Sequence, residues 1–248
     1  SGCFFIRRSF ASDILYKLTL EAYLFYLLME QKPIEFFFEG GRSRTGKLLS
    51  PRYGLYQMIV EAHSHLPEDK KKALKFVPVS IVHEYVAEQK SLVKELGGAK
   101  KKAESATQVF GLIKLFAKQF GSIHIKLGEP VEVEKKEEET LKKDVQNLAF
   151  DCFREVGKNM VVTPTSLLAL VLLDEPSGAL KWGDIVAKSK SIIEFSLRND
   201  IPFTDSLKVE NLEDSLGRAL DILIANKKVD VIGRSSRGHI FYSIKEDA

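Results

Sequence analysis

The sequence contains few cysteines, and their positions exclude two kinds of stabilising site. The 248 residues include two cysteines, Cys3 and Cys152, and neither belongs to a Cys-x-x-Cys pair or a Cys/His cluster. Structural zinc sites need such clusters, and disulfide frameworks need several cysteines at short spacings. The sequence therefore predicts no metal site and no disulfide framework, and it favours a reducing compartment.

Long apolar runs and a dominant charge are also lacking. A membrane-spanning helix takes about 20 apolar residues, and the longest candidate, 14–29, is interrupted by Lys17 and Glu21. No signal peptide is recognisable. The 37 Lys and Arg residues nearly balance the 34 Asp and Glu residues. Overall charge therefore identifies no partner, and only local clusters of basic residues carry information.

The first half of the chain alternates β-type runs with helical segments. Strands are predicted at 4–8, 34–38, 74–82 and 122–127, and helices at 13–31, 51–65 and 103–120. This alternation is typical of an α/β domain with a mostly parallel sheet flanked by helices. The run 34–38 is continuously apolar, as expected of a strand buried on both faces. Pro78 within the third run predicts an edge, a bulge or a special turn.

The second half changes to helices followed by a hairpin. Helices are predicted at 142–158, 164–173, 181–198 and 212–227, and two β-type runs lie within 229–244. These runs flank a Gly- and Arg-containing turn at 233–238. Helices followed by a hairpin predict a C-terminal helical, winged-helix-like module. The charged run 132–139 predicts a boundary before it.

The most informative segment is the run from Glu39 to Lys47, with the sequence EGGRSRTGK. Gly40 and Gly41 allow the backbone to approach a ligand closely. Arg42 and Arg44 carry planar guanidinium groups suited to bidentate phosphate contacts. Glu39 adds an acceptor for an arginine or a substrate hydroxyl. The run therefore predicts a pocket for a small phosphorylated polyol, and the alternative is a surface loop with solvated arginines.

The same run partly fits a nucleotide-binding P-loop. Residues 41–47 match the first seven positions of G-x4-G-K-[ST], but Leu48 stands where the metal-binding hydroxyl belongs. The apolar run 167–173 followed by Asp174 and Glu175 imitates the acidic strand of such NTPases. It begins at Thr163-Pro164, however, which predicts a helix. An NTPase is therefore the disfavoured alternative.

Further segments surround the loop in an informative order. Residues 4–10 (FFIRRSF) precede it, and 76–81 (FVPVSI), 95–105 and 120–125 follow it. Together these blocks resemble the glycerol-3-phosphate and dihydroxyacetone-phosphate acyltransferases of phospholipid synthesis. The resemblance covers 2–133 firmly and the helical C-terminal part loosely. It implies an acyltransferase domain at 1–135, a connecting helix at 136–160 and a module at 161–248.

The catalytic block of that family is not found in this sequence. The block is His-x4-Asp, whose His would act as general base and whose Asp would orient it. None of the five histidines has an Asp five residues later. The apolar start, without a Met, agrees with a domain that continues upstream of Ser1. The resemblance thus implies a truncated, inactive acyltransferase; the alternative is that His83 supplies the base and Glu84 orients it.

The resemblance also assigns substrate contacts. Arg8, Arg42 and Arg44 would hold the phosphate. Glu39, Gly40, Gly41 and Ser43 would form the polyol pocket, and Pro78 the floor of the site or the acyl channel. Arg7 is either a substrate contact or structural, because alternate strand residues point to opposite faces. No metal or cofactor is implied.

The implied reaction transfers a fatty acyl group to the sn-1 hydroxyl of glycerol 3-phosphate or dihydroxyacetone phosphate. The donor is acyl-CoA or acyl-carrier protein, and the residues leave both choices open. Lys100, Lys101 and Lys102 would meet the donor's phosphates or are solvated. The apolar stripe of 103–120 lies on a membrane surface or packs in the core. The expected location is the cytoplasmic face of a membrane.

Nucleic acid is not an expected partner. A winged-helix-like module could contact it through Lys227, Lys228, Arg234 and Arg237. The same region also carries acidic residues, among them those at 205, 210, 213, 214 and 221. Phosphate backbones are bound by basic surfaces, so this composition disfavours the nucleic-acid alternative.

Overall fold

The computed structural model describes residues 2–7, 13–41, 43, 46–86, 120–133, 141–233 and 240–245. The chain forms two compact units. The first comprises Ser1–Pro78 and Gly128–Val156, and the second comprises Val79–Leu127 and Gly157–Ala248. The domain limits expected from the sequence stay a prediction. None of the helices within the described ranges is long and apolar enough to cross a bilayer.

The first unit is built on three helices. They are α1 (Ile14–Met29), α2 (Tyr53–Ser64) and α3 (Leu141–Lys158), each within two residues of its prediction. Asp13, the N-cap of α1, accepts a hydrogen bond from the backbone N of Tyr16 at 3.0 Å. Two apolar clusters form the core: one comprises Leu20, Leu24, Met58, Ile59 and Ala62, and the other Tyr56, Val60, Val145, Leu148, Ala149 and Cys152. Burial raises the pKa of the Cys152 thiol to about 11, so this cysteine is a packing residue.

The segment 34–38 is not the strand that the sequence predicted: residues 34–37 have no regular secondary structure and Phe38 lies in a turn. Ile34, Phe36 and Phe38 are half-buried, whereas Phe37 is 78% exposed. Phe36 packs edge-on against Tyr56, with ring centroids 5.0 Å apart. The expectation of burial on both faces is therefore wrong. One face of the segment packs on the helical core and the other faces outward.

Every pair of strands in the described residues is antiparallel, and the one parallel pairing there is an isolated bridge between Val162 and Phe203. In the first unit, β1 (Lys75–Phe76) pairs with β4 (Val131–Glu132). In the second unit, β2 (Val79–His83) pairs with β3 (Ile123–Leu127). The described strands thus do not form the predicted parallel sheet, because the chain after β2 returns at the same end of that strand. Pro78 separates β1 from β2, which agrees with the predicted interruption.

The C-terminal part of the second unit combines three helices with a small sheet. Its elements are α4 (Pro164–Leu173), β5 (Leu180–Lys181), α5 (Trp182–Arg198), α6 (Leu212–Ala225), β6 (Val229–Ile232) and β7 (Phe241–Ile244). The strand order β5-β7-β6 is antiparallel throughout. Thr163 caps α4 by a reciprocal pair of hydrogen bonds with Ser166. The predicted helices and hairpin strands are confirmed.

Candidate substrate-binding loop

The Gly- and Arg-rich run lies in a loop that is closed at its base by two hydrogen bonds. The backbone N of Arg52 donates to the carbonyl O of Phe38 at 2.8 Å. The backbone N of Leu49 donates to Oε2 of Glu39, also at 2.8 Å. The sequence had predicted Glu39 as an acceptor for an arginine or a substrate hydroxyl. One of its oxygens instead fixes the loop.

Gly40 occupies a position that only glycine fits well. Its φ is +64°, and a Cβ atom there would lie 2.9 Å from Cγ of Arg52. The aliphatic part of Arg52 therefore lies directly over the Gly40 backbone. Gly41 has no atom of the described residues within 4 Å of an added Cβ. Its open surroundings fit the predicted close approach of a ligand.

Replacing Gly40 by alanine should destabilise the first unit more than replacing its neighbours. The left-handed conformation costs about 1–2 kcal/mol for alanine, and the contact with Arg52 adds to that cost. Gly46→Ala is the matched control, since Gly46 has φ of +76° but no atom within 4 Å of an added Cβ. Urea unfolding of both variants and of Gly41→Ala measures the difference. Equal losses for Gly40→Ala and Gly46→Ala would contradict the role of Arg52.

Ser43 supplies an unsatisfied polar group in this loop. Its Oγ is buried and has no hydrogen-bond partner among the described residues. Leaving such a group unpaired costs about 1–3 kcal/mol, so a ligand hydroxyl that pairs with it is favoured. Arg8, Arg42 and Arg44 lie outside the described residues. Their convergence on one pocket stays a prediction.

Arg7 and Pro78 are held by contacts at other places in the first unit. The Arg7 guanidinium forms an ion pair with Asp13 at 2.9 Å and lies 4.7 Å from the centre of the Tyr16 ring. These contacts fix the start of α1. They therefore favour the alternative in which Arg7 is a structural residue. The carbonyl O of Pro78 accepts from the backbone N of Gly128 at 2.8 Å. Within the described ranges, no hydrogen bond or ion pair joins Arg7 to the loop.

The second unit contains a His–Glu pair that differs from the one considered from the sequence. Oε1 of Glu84 lies 3.2 Å from Nε2 of His124, and Oε2 accepts from the backbone N of Ser122 at 3.0 Å. The carbonyl O of Glu84 accepts from Oγ1 of Thr165 at 2.6 Å. Glu84 therefore orients His124 and not His83, and the proposed His83–Glu84 pairing is wrong. Glu84 follows the end of β2, where the chain turns towards Ser122.

The first unit also contains an open cavity of about 880 Å³. It lies between the loop after α2, β4 and α3, and none of its lining residues belongs to the run 39–47. Its Lys and Arg side chains have partners nearby. Lys71 donates to the carbonyl O of Ser64, Lys72 donates to Gln31, and Arg154 forms an ion pair with Asp151. Among the described residues that line the cavity, these contacts leave no cluster of unpaired cations for a phosphate.

The structure removes the support for an NTPase. The apolar run before Asp174 is helix α4 and not a strand. Glu175 forms an ion pair with Lys188 at 2.7 Å. Its hydrogen bonds with Lys188 and Ser177 lower its pKa to about 2. The two acidic residues thus end a helix, as the helical interpretation of this run predicted.

Comparisons with known proteins identify the family of this chain. The family model described as the glycerol-3-phosphate acyltransferase C-terminal region matches residues 92–248, and an acyltransferase model matches 1–82. A glycerol-3-phosphate acyltransferase of Xylella fastidiosa is 32% identical over 225 residues, which are 82% of this chain and 26% of that protein. The corresponding protein of Pseudoalteromonas translucida is 31% identical over 250 residues, covering 94% and 30%.

A third relative extends the match to the whole chain. The glycerol-3-phosphate acyltransferase of Pseudomonas aeruginosa is 29% identical over 265 aligned positions, covering 100% of this chain and 31% of that protein. The chain therefore spans less than a third of the length of these relatives. The model of the glycerol-3-phosphate acyltransferase C-terminal region alone covers more than half of the chain. The chain belongs to the glycerol-3-phosphate acyltransferase family.

Proposed function

We propose that this chain supplies the acceptor-binding part of an enzyme of phospholipid synthesis. The enzyme would transfer a fatty acyl group from acyl-CoA or acyl-carrier protein to the sn-1 hydroxyl of glycerol 3-phosphate or dihydroxyacetone phosphate. The single observation that supports this most is the Gly- and Arg-rich loop, which is closed by the hydrogen bonds Leu49–Glu39 and Arg52–Phe38. The Oγ of Ser43 in this loop is buried and has no partner among the described residues, which would suit a polyol hydroxyl. Arg8, Arg42 and Arg44 would bind the phosphate.

The proposed chemistry is a direct acyl transfer. The acceptor hydroxyl oxygen attacks the thioester carbonyl carbon, the carbon–sulfur bond breaks, and the hydroxyl proton passes through a base to the departing thiolate. The family's base belongs to a His-x4-Asp pair, which this sequence does not contain. General-base catalysis contributes about 10²–10⁴-fold. We therefore expect this chain to bind the acceptor without turning it over at a useful rate.

A thioester-release assay with the purified chain, glycerol 3-phosphate and acyl-CoA tests this expectation. Binding of glycerol 3-phosphate is measured in parallel by calorimetry. We expect binding without turnover. Turnover that His83→Ala abolishes would move the base to His83, and turnover that survives this change would contradict the mechanism.

We further infer contact with the cytoplasmic surface of a membrane. Supporting this, α1 exposes an apolar face that includes Ile14, Leu15, Leu18 and Tyr26. Apolar helix faces of this kind are stabilised at the boundary between lipid headgroups and acyl chains. Flotation with phospholipid vesicles tests it. Equal flotation of the wild-type chain and of Leu15→Ser/Leu18→Ser would count against this face.

We also infer that the C-terminal helices and sheet form a winged-helix-like module. The order helix, strand, two helices, strand and strand supports this inference, with β7 lying between β5 and β6. The exposed side of α6 carries Glu213, Asp214 and Asp221. Phosphate backbones are repelled by such a surface. Nucleic acid is therefore not the expected partner, and salt-dependent binding of duplex DNA would contradict this.

A further inference from the structure

Arg52 is positioned by contacts on two sides of the candidate loop. Its backbone N is fixed to Phe38 at 2.8 Å, although the two residues are fourteen positions apart. Its Cβ, Cγ and Cδ atoms lie 3.7, 2.9 and 3.9 Å from the place where a Cβ of Gly40 would be. The aliphatic part of the side chain therefore crosses the Gly40 turn. The guanidinium follows Cδ directly, which places it near this turn.

The Arg52 guanidinium is also unusual among the arginines in the described ranges. The other four have partners: Arg7 contacts Asp13, Arg154 contacts Asp151, Arg198 donates to the carbonyl O of Glu194, and Arg218 donates to Ser215. Arg52 is exposed, and no hydrogen bond or ion pair of its guanidinium is found in the described part of the chain. The aliphatic part of Arg52 thus has a defined place, and its guanidinium has no partner among the described residues. Such a guanidinium is available to bind an anion.

We propose that Arg52 is a further phosphate-binding residue of this site. The inference rests on the proposed function, since it places a fourth guanidinium beside the loop that would hold the acceptor. The ligand is a phosphate group, whose oxygens pair with the planar N–H donors of arginine. Two sources carry this chemistry, the phosphate of glycerol 3-phosphate and the phosphates of the CoA donor.

Isothermal titration calorimetry of the chain with glycerol 3-phosphate and, separately, with CoA tests the proposal. Arg52→Met keeps a stem over Gly40 and removes the charge, so the loop is expected to stay folded. Losing a charge-assisted contact should weaken phosphate binding by about 10- to 100-fold. Arg52→Lys keeps the charge and should lose less. Arg198→Met, an exposed arginine of the second unit, is the matched control and should bind as the wild type does.

The ligand whose affinity falls identifies the source of the phosphate. Weaker binding of glycerol 3-phosphate alone assigns Arg52 to the acceptor, and weaker binding of CoA alone assigns it to the donor. If wild type and Arg52→Met bind both ligands equally, the role of Arg52 is overturned while the proposed function stands. If the wild-type chain binds neither ligand, the acceptor-binding function itself fails. Unfolding curves of Arg52→Met and wild type that coincide exclude a folding defect as the cause.

Discussion

Gly121→Ala is expected to lower the free energy of unfolding of the second unit by roughly 2–4 kcal/mol. Gly121 has φ of +70°, and an added Cβ would collide with Oε2 of Glu84 and lie 2.8 Å from its Cβ. The left-handed conformation accounts for about 1–2 kcal/mol. Displacing the Glu84 carboxylate from Ser122 and His124 accounts for the rest. Urea unfolding followed by circular dichroism measures the loss.

Two comparisons separate these contributions. Gly178→Ala isolates the backbone cost, since Gly178 has φ of +74° and no atom within 4 Å of an added Cβ. Glu84→Ala removes the carboxylate that Gly121→Ala would displace. The double variant should therefore be at least about 1 kcal/mol more stable than the sum of the single losses predicts. Strict additivity, or a Gly121→Ala loss equal to that of Gly178→Ala, would show that the collision with Glu84 has no effect.

The helices of this chain could be predicted from sequence because their ends are marked by neighbouring residues. Asp13 caps α1 through the N of Tyr16, only three positions away. Thr163 and Ser166 cap α4 in the same local manner. Such signals act within one turn and do not depend on the rest of the fold. This locality explains why both helices begin where their capping residues predicted.

The sheet arrangement could not be predicted in the same way, because it depends on contacts between distant residues. Strand–helix alternation implies parallel strands only when the chain returns to the opposite end of the sheet. Here Glu84 binds Ser122, 38 positions later, and this contact brings the chain back beside the end of β2. The apolar pattern of 34–38 likewise could not show that only one face of the segment would be covered.

The candidate site likewise could be predicted only where the signal is local in the sequence. The residue types of 39–47 predicted a loop, which the structure shows, whereas the ligand class that they indicated stays a prediction. The partner of Glu39 is the backbone of Leu49, ten positions away, and a backbone group leaves no mark in the sequence. Arg52 directly follows Pro51, near the predicted start of a helix, and its residue type does not mark it as part of the loop. Its position over Gly40 emerges only from the folded loop.

Leu168→Ala is expected to destabilise the C-terminal helices strongly. Leu168 is fully buried in the cluster formed by α4, α5 and α6, together with Leu167, Ile185 and Leu216. Truncating a buried leucine costs about 2–5 kcal/mol, because the transfer free energy is lost and a cavity remains. Trp182, the only tryptophan of the sequence, packs against this cluster. Its fluorescence in a urea titration therefore reports the unfolding of this part.

Leu170→Ala is the matched control on the same helix. Leu170 is 53% exposed, so its truncation removes little buried surface and should change stability by no more than about 0.5 kcal/mol. Both variants make the same chemical change in α4, and helix propensity cannot distinguish them. A large difference in urea midpoint between the two variants, with the same dependence of the unfolding free energy on urea concentration, thus measures packing alone. Equal midpoints would contradict a core centred on Leu168 and would mean that α4 contributes little to the stability of this unit.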